Sequence, residues 1–175
     1  MYRVLSDLEE LSYLSMECTE NKEFMKRVRS MTEDLADTKV DNTCQLVNAL
    51  NVIFSNKSRS WERTKVHITE LLEKVDLSTN EINKFTFWDS EKPYTRNLVH
   101  TDGENYTLLI LCWNAGRESS IHNHPCDGCF VKTIRGCIRE SRYTIHEETK
   151  EIRPDGVKFF NEGQVILISN IVFDS

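Results

Sequence analysis

Apolar residues recur at three- and four-residue spacing along the first part of the chain, then give way to short runs split by turn formers. Val4, Leu8, Leu11 and Leu14 make one helical stripe, and Phe24, Val28, Met31 and Leu35 a second. Leu46, Leu50, Ile53 and Phe54 make a third, and Val66, Leu71, Leu72 and Val75 a looser fourth. Asp41, Asn42 and Thr43 offer short polar side chains to cap the third helix. The fourth is expected to end at Asp76, with Ser78-Thr79-Asn80 as a loop.

Past residue 84 the pattern predicts strands near Thr95–Val99, Tyr106–Trp113, Phe130–Ile134, Ile138–Ile145, Val157–Phe160 and Gln164–Ile168. Asp102-Gly103, Arg135-Gly136 and Asp155-Gly156 punctuate them as turns. Many short strands at regular spacing suggest a small barrel or jelly roll. The expected organisation is a helical extension over residues 1–40, then a domain over 41–175 with helices at 43–75 and a partial barrel at 84–175. The first two stripes read as ordinary amphipathic helices, packed on the barrel or paired with another chain.

A net charge of -6 argues against general binding to nucleic acid or to a membrane surface, because both require a positive patch. Met1 to Leu14 carries Asp7, Glu9 and Glu10, so it lacks the apolar centre of a signal peptide. The longest apolar runs, Leu108–Trp113 and Val165–Ile168, are strand-length and too short to span a bilayer. With no secretory signal, the six cysteines at 18, 44, 112, 126, 129 and 137 read as thiols in a reducing cytoplasm.

Candidate chemistry concentrates between Gly116 and Cys129. On an extended strand residues two apart share a face, so His122 and His124 present two imidazoles together. Imidazole suits zinc, copper, iron and nickel. A bare His-x-His pair is also compatible with surface polarity. A zinc site of His122, His124, Cys126 and Cys129 is chemically possible, though the cluster is short for a tetrahedron. Cys126 and Cys129 form a C-x-x-C, but no βαβ pattern surrounds it to suggest a thioredoxin-like role. His67, His100 and His146 read as solvated or helix-surface residues.

The wider spacing narrows these options. Gly116 stands six residues before His122, Cys129 five after His124, and Gly136 seven after Cys129. This resembles the first motif of the cupin superfamily, with Cys129 where that motif usually has glutamate. Pro93-Tyr94-Thr95-Arg96-Asn97-Leu98-Val99 and Ser119-Ser120-Ile121-His122-Asn123-His124 resemble segments of the cysteine dioxygenase family, over roughly residues 43 to 170. The resemblance implies a mainly β, cupin-type barrel behind an α-helical N-terminal segment. It implies oxidation of L-cysteine by O2 to cysteine sulfinate at a non-haem Fe(II) centre, a step of cysteine catabolism and taurine biosynthesis. It also implies a cytoplasmic monomer with no nucleic-acid or membrane partner. His122 and His124 would be iron ligands, Arg96 would hold the substrate carboxylate bidentately, and Tyr94 would support it. The cysteine matching Cys129 carries a thioether bond to a downstream tyrosine in the family; a buried thiol is the plainer reading.

The second cupin motif starts at Gly163 and runs through Gln164 to Ile168, where the family continues into a turn delivering a third histidine. Here the sequence reads Ser169-Asn-Ile-Val-Phe-Asp-Ser175. The third ligand would fall near Asp174 or Ser175, and the barrel is expected to be incomplete at this end. Asp174 would give two histidines and a carboxylate, a known iron facial set. A metal-free binding or regulatory module that keeps the Arg96 pocket is the alternative from another class.

Overall fold

The computed structural model describes residues 2–3, 39–122, 128–146 and 148–168. The first two helical stripes lie outside the described residues. The described elements run β1 (Tyr2–Arg3), α1 (Thr43–Ser55), α2 (Trp61–Lys74), α3 (Thr79–Asn83), β2 (Tyr94–Thr101), β3 (Thr107–Trp113), β4 (Cys129–Lys132), β5 (Cys137–Ile145), β6 (Ile152–Asn161) and β7 (Val165–Ile168). Most elements are strands, and the helices precede all of them except β1, which lies in the stretch expected to be helical and pairs antiparallel with β5 instead. Strand order is β1-β5-β6 in one sheet, with β2-β3 and β4-β7 as two-stranded sheets, and no closed barrel forms among the described residues.

The chain divides into two compact units. One contains residues 10–87 and 96–112. There α1 starts at Asn42, whose side chain accepts from the Gln45 N–H at 2.9 Å, so the expected cap is present. Leu46, Ala49, Leu50 and Ile53 of α1 and Ile68, Leu71 and Leu72 of α2 are buried, and the two helices pack together. Glu81 closes the helix start from a distance, accepting from Thr43 N–H and Oγ1. A correction falls nearby: the segment from Ser78, expected as a loop, includes the short helix α3. The Ser78 hydroxyl accepts from the Glu81 N–H, so the polar run caps a helix.

The other unit contains residues 1–9, 88–95 and 113–175. Strand β5 pairs antiparallel with β6 from Cys137↔Asn161 to Ile145↔Ile152. Strand β4 pairs antiparallel with β7, Cys129 opposite Ile168 and Lys132 opposite Val165. Asp155-Gly156, expected as a turn, instead lies inside β6. Gly156, at φ +149°, sits where the register with β5 shifts between Arg142 and Tyr143, so the glycine serves an irregularity within the strand. The chain reverses earlier, at 146–150, where Lys150 N–H donates to His146 O at 2.9 Å. Among the described residues, two small apolar clusters lie in this unit. Ile166 and Ile168 pack with Cys129, Val131 and Phe160, and Trp113 and Ile138 pack with Tyr94 and Val131. Val131 borders both.

The cysteine expectation needs one correction. Cys44 is disulfide-bonded, so the chain is not uniformly a set of thiols. Cys112, Cys129 and Cys137 carry no disulfide.

Candidate metal centre

The loop that carries His122 leaves β3 at Trp113 and is tied down residue by residue. Asn114 fixes its start. Its backbone N–H donates to Pro93 O at 3.0 Å, and its side-chain amide donates to the carbonyl oxygens of Asp89 and Lys92, each at 2.7 Å. Gly116 then takes φ +69°, a left-handed conformation that a Cβ would strain. Arg117 N–H donates back to Asn114 O at 3.0 Å, closing the turn. Glu118 pairs with Arg139 of β5, and Ser119 is buried at 2% exposure.

His122 follows, partly buried. Its Nδ1 lies 2.8 Å from the Ser120 carbonyl oxygen. A carbonyl can only accept, so in the neutral ring Nδ1 carries the hydrogen and Nε2 keeps its lone pair. That is the tautomer a metal-bound imidazole requires, oriented by a carbonyl on its other nitrogen. His122 therefore fits an iron ion as one imidazole donor. His124, Cys126 and Asp174 lie outside the described residues. Among the described residues, no group of three or more His, Cys, Asp or Glu side chains is placed to hold a metal.

Cys129 opens β4 and is partly buried against Ile166 and Ile168. Tyr94 opens β2, and its ring stacks on Trp113 with centroids 4.4 Å apart. Tyr94 and Cys129 thus border the two linked cores at Val131. Arg96 lies two residues beyond Tyr94 on β2, belongs to the other unit and is exposed.

The other histidines have local roles. His67 lies on α2, where burial, followed by the nearby Arg59 charge, holds its imidazole below the usual pKa. His100 lies on β2 at 5.8 Å, ring to ring, from Tyr106. His146 accepts at Nδ1 from the Thr149 N–H at 3.4 Å.

Three features escaped the sequence reading. Asn114 and the Glu118–Arg139 pair hold the histidine loop through partners 21 to 25 residues away, beyond any local pattern. Glu140, on β5, is 1% exposed; Arg142 Nε donates to its Oε2 at 3.0 Å, while its buried Oε1 has no hydrogen-bond partner among the described residues. Strand alternation in a surface-like Arg-Glu-Ser-Arg run gives no hint of that burial.

Comparison with known proteins bears on what this arrangement is. The family model for cysteine dioxygenase type I matches residues 33–162, starting earlier than the sequence motifs suggest. Cysteine dioxygenase type 1 of Danio rerio is 30% identical over 127 residues, 71% of this chain and 61% of the relative. The Homo sapiens protein of the same name is 26% identical over 128 residues, 73% of this chain and 62% of the relative. The matched region thus spans less than two thirds of the length of these relatives. A family match over residues 33–162 covers most of the chain, and the chain belongs to the cysteine dioxygenase type I family.

Proposed function

We propose that this chain supplies the front part of a centre that oxidises L-cysteine with O2 to cysteine sulfinate. The observation that carries the reading is His122, whose Nδ1 faces the Ser120 carbonyl and so favours the tautomer with a basic Nε2, within a chain of this family. His122 and His124 would hold Fe(II). Ferrous iron, when bound, supplies activation of O2 toward the substrate sulfur. The reaction balances without an external reductant: both oxygen atoms end on sulfur, the thiol becomes a sulfinic acid, and sulfur is oxidised as O2 is reduced.

The protein's own part is binding and orientation. Arg96 presents a planar fork to the substrate carboxylate. Tyr94, whose ring stacks on Trp113, is the phenol that supports the same contact in this reading. Cys129 is the partner for a thioether to a tyrosine of the whole protein. Its partly buried, apolar setting suits a thiol kept for such a bond. Cytoplasmic, monomeric operation belongs to the same proposal, as does the lack of nucleic-acid or membrane-surface partners, which the acidic net charge supports. No helix among the described residues is long and apolar enough to cross a membrane. Neither the binding-module reading nor a zinc module of His122, His124, Cys126 and Cys129 has a specific observation in its favour.

Anaerobic Fe(II) titration of the purified chain tests the assignment. Binding should be weak, because two imidazoles make an incomplete set, and His122→Ala and His124→Ala should each abolish it. Unchanged iron binding in both variants would overturn the reading.

A further inference from the structure

The loop from Asn114 to His122 has firm attachments at both ends. Asn114 makes three hydrogen bonds to the 89–93 segment, and His122 is held by Ser120. Between them, a side-chain contact ties the loop to a strand of the sheet: the carboxylate of Glu118 pairs with the guanidinium of Arg139. Arg139 is not on a loose segment. It lies within the β5–β6 ladder, opposite Phe159 and next to Ile138, which is buried against Trp113. Trp113 is also the residue from which the loop departs. The pair therefore fastens the middle of the loop to the strand that supports its root, four residues before His122.

We infer that the Glu118–Arg139 ion pair is a positioning device for His122: it sets the path of residues 117–122 and so the direction of the His122 Nε2 lone pair. The inference rests on the proposed role of His122 as a metal ligand. Glu118 touches no ligand in this scheme and acts through the loop. Both side chains are about one third exposed, 32% for Glu118 and 37% for Arg139, so solvent weakens the pair and its effect is modest. Orientation of a ligand responds to small displacements, which makes even a modest tether measurable.

The test uses Co(II), whose visible absorption reports imidazole coordination without any turnover. The chain, Glu118→Gln, Arg139→Gln and the charge-exchanged Glu118→Arg/Arg139→Glu protein are titrated anaerobically, with His122→Ala as the control for site. Amide hydrogen exchange of residues 117–122 is measured on the same metal-free proteins. Each single variant should bind Co(II) about two- to fivefold more weakly and lose a similar factor of exchange protection in the loop. The exchanged pair should recover both, and thermal midpoints should not track the losses. If the parent binds Co(II) through His122 and the single variants match it, the positioning role is wrong and the metal assignment stands. If Co(II) binding survives His122→Ala, the metal assignment fails instead. Loop exchange that is identical in all variants overturns the tether whatever the metal does.

Discussion

Tyr94 lies stacked on Trp113, ring centroids 4.4 Å apart and planes 23° from parallel. The first residue of β2 is thereby held against the last residue of β3, with Trp113 only 8% exposed and packed on Ile138. The stack joins a structural residue to one of the proposed substrate-binding side chains. Trp113→Ala should cost about 3–5 kcal/mol in urea unfolding, because it empties a buried aromatic site. Tyr94→Phe keeps the ring and its stack, so its stability should stay within about 0.5 kcal/mol of the parent. A large loss in Tyr94→Phe would show that the hydroxyl, not the ring, anchors this corner.

Tyr106 gives a pH signature in the other unit. Its hydroxyl donates to Asn51 Oδ1 at 2.7 Å, and its ring stacks on Phe54 at 5.1 Å. Burial first, and the Asp102 charge second, raise its pKa from 10.0 to about 12. A raised phenol pKa means the folded state holds its proton longer than the unfolded chain. The associated stability is fully present below pH 10 and is lost as pH rises toward 12. Tyr106→Phe should cost about 0.5–1.5 kcal/mol at neutral pH and should flatten the fall in stability between those values. An unchanged alkaline limb in Tyr106→Phe would assign that limb to other groups.

Among the described residues, α1 and α2 were readable because their determinants are local. Asn42 sits at the start of an apolar stripe and caps α1 as expected, three residues from its partner Gln45. The strands past residue 84 were readable from runs and turns, yet Asp155-Gly156 misled, since glycine permits a strand irregularity as well as a turn. At the candidate centre, the spacing to Gly116 and Cys129 marks His122 as a proposed ligand. The groups that hold its loop carry no such mark. Asn114, Glu118 and Arg139 act through contacts between distant segments, and a charged residue in a strand looks alike in sequence whether it is solvated or tied to a loop. Glu140 is the extreme case, a carboxylate at 1% exposure in a run of polar residues.

The carboxylate-holding role proposed for Arg96 is limited by its exposure. A guanidinium in water gains less from a carboxylate than a desolvated one does, because solvent screens the pair. Arg96→Ala should therefore weaken cysteine binding to the iron-loaded chain about two- to fivefold. Cysteamine has no carboxylate, so its binding should be unaffected, and the preference for cysteine should vanish in the variant. Calorimetric titration of both thiols under anaerobic conditions reads this directly. Equal binding of cysteine and cysteamine by the parent would remove Arg96 from the site.

A polypeptide of these 175 residues alone should turn over cysteine slowly or not at all. The third imidazole of the family would fall near Asp174 or Ser175, and neither is histidine. The other histidines lie on other segments of the chain: His67 on α2, His100 on β2 and His146 in the turn after β5. Two imidazoles do not fix which coordination positions stay open, so the substrate sulfur and O2 are not forced side by side. Orientation of that kind supplies several kcal/mol of a barrier, and a shift of about 1 Å can cost about a hundredfold in rate. The Cys129 thioether should also be missing, because no tyrosine follows Tyr143 in the sequence. Sulfinate production should be compared between this polypeptide and one joined to the remaining length of a cysteine dioxygenase type 1 relative. The longer protein should be at least a hundredfold faster, on the order of the misplacement penalty, and only it should show the gel shift of a thioether. Comparable output from both would mean that another side chain completes the centre, and loss of that output in Asp174→Ala would identify it.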